Sequence, residues 1–121
     1  MSIPIKITAC DNEFTMKAYN AGASYDIAEI KSGNFNSVDV TITLAAGTYS
    51  GGIEANGVNN PLNVNETVNL PAGTYSLVSV GYNWGGPSGF QFNIDGMNFG
   101  TTGSSNQEGV VYTSLPFEIT V

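Results

Sequence analysis

The chain has 121 residues, the size of one domain. Its 41% hydrophobic content with 11% aromatics supplies a core, while charged residues make up only 11% against about 25% in an average domain. Three lysines, no arginine and no histidine stand against ten acidic residues, a net charge of −7, which excludes phosphate-neutralising nucleic-acid binding and attachment to an anionic membrane. No apolar run approaches the roughly 18 residues of a membrane-spanning helix, so membrane insertion is not expected. Good helix formers are scarce, which predicts an all-β fold. Gly, Asn, Ser and Thr account for 51 residues, so the polar surface consists of small neutral side chains.

Residues 1–6 lack the basic and apolar stretches of a secretory signal. The single cysteine, Cys10, has no partner for an internal disulfide. Both predict synthesis in a reducing cytoplasm, and the lysine-poor, Asn/Thr/Gly-rich surface suggests a final place outside the cell or in a virion. Ile3, Ile5 and Ile7 alternate with polar residues over 3–9, the period of a strand with one buried face. Cys10, which follows, reads as a buried small hydrophobe. Residues 14–19 form a second candidate strand. The pattern is weakest across 10–35, where 25–31 is compatible with a strand or a helical turn. Val38, Val40, Ile42 and Leu44 then alternate with Asp39, Thr41 and Thr43. A candidate strand at 49–55 leads into Asn56-Gly57, a two-residue hairpin signal.

Leu62, Val64, Val68 and Leu70 alternate with asparagines and Thr67; Glu66 breaks the apolar side and marks an edge position. Residues 75–82 are a further strand. Phe90 to Ile94, Asp95-Gly96, and Met97 to Phe99 make the clearest hairpin, because Gly accepts and Asp tolerates the positive φ of a type I′ turn. That register pairs Ile94 with Met97 and Phe92 with Phe99, leaving Gln91, Asn93 and Asn98 together on the polar face. A polar, glycine-rich stretch at 100–109 precedes candidate strands at 110–113 and 117–121.

Leu44-Ala45-Ala46-Gly47-Thr48-Tyr49-Ser50 recurs as Leu70-Pro71-Ala72-Gly73-Thr74-Tyr75-Ser76. Each copy of this internal repeat reads as a strand, a tight turn and a strand opening with Tyr, hence as paired hairpins. The whole chain, 1–121, is expected to form a single antiparallel β-sandwich, jelly-roll-like, with nine or ten short strands.

Catalytic parts are scarce. Without histidine there is no Ser–His–Asp or Cys–His arrangement and no ordinary zinc site. Asp11 and Glu13, two apart on one strand face, are the remaining carboxylate pair, and they read as solvated charges at a strand entrance. No enzyme, cofactor or metal is expected; Asn59, Asn60, Asn63, Asn65 and Glu66 offer oxygens, but no ordered calcium loop.

The segment from Gly81 to Phe90 is the most suggestive. It holds the only tryptophan, Trp84, among four glycines and Pro87. Two placements are open: a platform that stacks on a sugar, or a plug that closes the end of the sandwich. The first leads to a non-catalytic, lectin-like carbohydrate-binding module with Trp84, Asn83, Tyr82, Gln91, Asn93 and Asn98 as ligand-binding residues. The alternative is a self-assembling structural subunit of a virion, appendage or inclusion, since no lysine follows Lys31 to guard the later strand edges. A homo-oligomer is compatible with both.

Overall fold

The computed structural model describes residues 2–32, 38–58, 61–86, 88–101 and 107–121. Eleven strands form among them: β1 (Ser2–Asp11), β2 (Glu13–Asn20), β3 (Ala23–Lys31), β4 (Val38–Ala46), β5 (Ile53–Asn56), β6 (Leu62–Leu70), β7 (Thr74–Asn83), β8 (Gly89–Ile94), β9 (Met97–Gly100), β10 (Gly109–Thr113) and β11 (Phe117–Thr120). The first sheet has the order β6-β4-β1-β8-β9 and the second β10-β7-β2-β3-β5, with β11 following β10 along the same edge of β7. The count exceeds nine or ten because that edge is built from two short strands. Residues 114–116 separate them, and Pro116 has no N–H to give a ladder.

The all-β, sandwich-like expectation holds, but the sheets are mixed rather than antiparallel. β6 runs parallel to β4, and β5 parallel to β3. The chain leaves β4 for β5 in the second sheet and returns as β6 in the first, so each of these strands re-enters beside an older one in the same direction. This topology also revises the repeat. Its two copies are not paired hairpins: β4 and β6 lie side by side, and the turn after β6 crosses to β7 in the other sheet. Val38 faces Leu62 rather than Val64, a slip of two residues that keeps every side chain on its expected face. Asn56-Gly57 is likewise no hairpin, since Gly57 N–H donates to the Lys31 carbonyl (2.7 Å) and β6 belongs to the first sheet.

Residues 25–31 are strand, paired with β2. A bulge opposite Met16 and Lys17 turns both Ile27 and Ala28 inward, which erases the alternation that a strand otherwise displays. The β8–β9 hairpin has the predicted register, with φ of 50° at Asp95 and 91° at Gly96. Glu66 lies exposed on β6, an edge strand as expected.

Both sheets contribute to one apolar cluster that includes Ile5, Ile7, Phe14, Met16, Leu44, Leu77 and Phe90. Two glycines make room for Phe90. A Cβ on Gly81 would stand 2.6 Å from the Phe90 ring, and one on Gly100, at φ 147°, would stand 2.2 Å from the Phe90 carbonyl oxygen. Gly81→Ala is therefore expected to destabilise the fold by about 1–3 kcal/mol in urea denaturation, as overpacked cores do.

Cys10 is buried as expected. Burial pushes its thiol from 9.0 up to about 12, with the Asp11 charge adding and a Ser32 hydrogen bond opposing. Burial also raises the Tyr75 and Tyr112 hydroxyls. Each group is an acid whose folded pKa lies above its unfolded value, so unfolding releases protons at high pH. Stability present below pH 9.0 is thus lost as pH rises toward about 12. Urea midpoints measured across that window should fall, and thiol reagents should label Cys10 only after unfolding.

Candidate functional site

The region around Trp84 is assembled by two buried asparagines. Asn12 forms the corner where β1 in the first sheet gives way to β2 in the second. Its N–H donates to the Tyr82 carbonyl (3.2 Å), its carbonyl accepts from Ser32 N–H (2.9 Å), and its Oδ1 accepts from Trp84 N–H (2.8 Å). Asn83 ends β7. Its Nδ2 donates to the carbonyls of Gly86 and Gln107, each at 2.9 Å, and its Oδ1 accepts from Gly85 N–H at 3.2 Å. The glycine loop is wrapped around this amide, with Gly85 and Gly86 at φ 127° and 77°, conformations that favour glycine.

Trp84 emerges from this frame 45% exposed, so it does not plug the sandwich. Its Nε1 donates to Glu13 Oε1 at 3.2 Å. The Glu13 carboxylate and Tyr82 are cross-strand neighbours on β2 and β7 and line one groove on the outer face of the second sheet. Thr15, Lys17, Asp26, Glu29 and Glu54 continue that groove, whose volume is about 400 Å³. Lys17 pairs with Asp26 (3.6 Å) and Lys31 with Glu29 (3.8 Å). Both pairs are solvent-exposed and contribute little to stability. The groove is therefore predominantly anionic, with hydroxyls along its wall and two aromatic rings at the Glu13 end.

The predicted site residues are only partly brought together. Tyr82 and Trp84 share this end of the second sheet. Asn83 is beside them in sequence but buried, its amide spent on the loop. Gln91, Asn93 and Asn98 share one face of the β8–β9 hairpin as expected, yet they lie on the first sheet. The connection from β7 to β8 changes sheets, so the residues before and after the tryptophan loop go to opposite layers. The three amides line a separate open cleft of about 1020 Å³ with Thr8, Phe99, Tyr112 and Leu115. Asn93 Nδ2 donates to Asn98 Oδ1 there (2.9 Å), and Asn93 Oδ1 accepts from Gly96 N–H (2.9 Å). Asp11 and Glu13 do not share a strand face: one ends β1, the other begins β2, and the sheets differ.

The groove residues from Glu13 to Glu54 were not legible as a site. Glu13 and Trp84 are 71 positions apart, and only the pairing of β2 with β7 joins them. The one available signal was the alternation of Glu13, Thr15 and Lys17 with Phe14 and Met16, which places three polar groups on one face. No group of three or more His, Cys, Asp or Glu among the described residues could hold a metal ion. Asn63 and Asn65 are exposed on β6, while Asn59, Asn60, Pro87 of the tryptophan loop and residues 102–106 of the glycine-rich stretch lie outside the described residues. Comparison with protein-family models, curated proteins and solved structures finds no match to this chain.

Asn83→Ala removes three loop contacts and should lower stability by about 1–3 kcal/mol. Fluorescence anisotropy of the single tryptophan should fall in the same variant, as the loop loses its anchor.

Proposed function

We propose that the protein is a non-catalytic carbohydrate-binding module whose site is the Trp84–Tyr82 end of the second-sheet groove. The observation that carries this reading is the presentation of Trp84: the ring is nearly half exposed, yet its backbone N–H and its indole N–H are both tied down, to Asn12 and Glu13. A ring held in this way loses little freedom when a ligand stacks on it. Its flat face suits the C–H side of a pyranose, and the carboxylates of Glu13, Asp26 and Glu54 with the Thr15 hydroxyl accept hydrogen bonds from sugar hydroxyls. A concave surface with a few placed polar groups beside apolar ones is the usual form of such a site. The chemistry is recognition without bond cleavage, and the ligand is a saccharide rather than a nucleic acid or a membrane.

Intrinsic fluorescence of Trp84, titrated with neutral and amine-bearing oligosaccharides, tests the proposal. A saturable change with one sugar class is expected. Trp84→Ala should abolish binding measured by calorimetry, and Gln91→Ala should leave it unchanged. A flat response across all sugars, or full binding by the Trp84→Ala variant, refutes the reading.

A further inference from the structure

Strand β9 ends the first sheet, and its outer edge has no neighbour among the described residues. Ile94 and Met97 flank the two-residue turn and form a hydrogen-bonded pair, so alternation makes Asn93 and Asn98 a non-hydrogen-bonded pair. The backbone N–H and C=O of Asn98 therefore point away from β8, toward solvent. On the inward side of the same strand, Phe99 stacks on Phe92 (5.3 Å) and meets Phe117 edge-on (5.4 Å), and it remains only partly covered. Met97 is 54% exposed next to it, and Leu115, across the same cleft, is 84% exposed.

We propose that this edge is a self-association surface: a second copy of the chain pairs its β9 antiparallel to β9, with Asn98 on the two-fold axis. In that register the two Asn98 residues exchange both backbone hydrogen bonds. Met97 of each copy faces Phe99 of the other, a thioether against an aromatic ring. The first sheets become one continuous sheet, and the pairing is isologous, so it closes at the dimer.

Charge selects a second copy as the occupant. A chain of net charge −7 repels its own kind over most of its surface. No carboxylate lines the cleft beside β9, and its one charged residue, Lys6, is already ion-paired with Asp39. Two copies therefore meet at β9 with the least repulsion. The edge also lacks the lysines, prolines or bulges that keep sheet edges apart. Trp84 and its groove are on the other sheet, so association and sugar binding are independent.

Sedimentation equilibrium from micromolar to millimolar protein tests the surface. The mass should rise from 12.7 kDa toward twice that value and stop there, more readily at high salt, which screens the remaining carboxylates. Met97→Lys places a charge on the edge without disturbing the core. Asn98→Pro removes an outward N–H that makes no bond within the chain. Each variant, checked for folding by circular dichroism, should weaken association at least roughly tenfold, while Trp84→Ala leaves it unchanged. A constant mass of 12.7 kDa overturns the proposal. So does wild-type association by Met97→Lys, which decides the matter if the proline variant does not fold, and so does growth past the dimer into open polymers.

Discussion

The buried side chain and backbone of Asn12 hold together the parts of this protein that matter for its chemistry. The residue occupies the corner between the two sheets, where a chain has no ladder partner for its polar groups. Asn12 satisfies them by binding the end of β7, the segment after β3 and the first residue of the tryptophan loop. A buried amide with its partners in place is stiff, because losing any one of them leaves an unpaired polar atom in a dry interior. The exposed Trp84 inherits that stiffness. Its ring projects into solvent from a backbone whose position is set by three strands.

The other end of the loop is anchored differently. Phe90 enters the core directly after it and lies against Gly81, a position where no side chain fits. Polar anchoring on one side and apolar anchoring on the other leave a short glycine-rich span between them, organised around the Asn83 amide. This division explains why asparagine, rather than a ligand-facing aromatic or acid, precedes the tryptophan. Its role is internal, and ligand chemistry passes to residues of the neighbouring strand, Glu13 and Thr15.

Charge is unevenly used. The acidic groups of Glu13, Asp26, Glu29 and Glu54 gather around one groove on the second sheet, whereas the cleft beside β9 on the first sheet is lined by amides, hydroxyls and aromatic rings. The first surface suits hydrogen bonding to a polyhydroxylated ligand, the second a neutral contact between like-charged chains. If both are occupied, each dimer presents two sugar sites, and binding to a repeating glycan gains from effective concentration.

How much of this was legible in the sequence follows from the range of the interactions involved. Local chemistry was sufficient for the all-β class, for the alternation in β1, β4 and β6, and for the β8–β9 hairpin. Two-residue periodicity and the φ preferences of Asp95-Gly96 act between near neighbours. The buried state of Cys10 and the edge position of Glu66 followed from the same patterns. β3 stayed ambiguous because a bulge turned two consecutive residues inward. The mixed sheets, the side-by-side repeat copies and the split of the predicted site all depended on which layer each connection enters. That choice is made by burying both sheets against one core, and no local residue pattern encodes it. The sequence thus determined the strands and an aromatic loop able to bind; only the tertiary structure decided that Trp84 would stand beside Glu13 and that Gln91, Asn93 and Asn98 would belong to the opposite sheet.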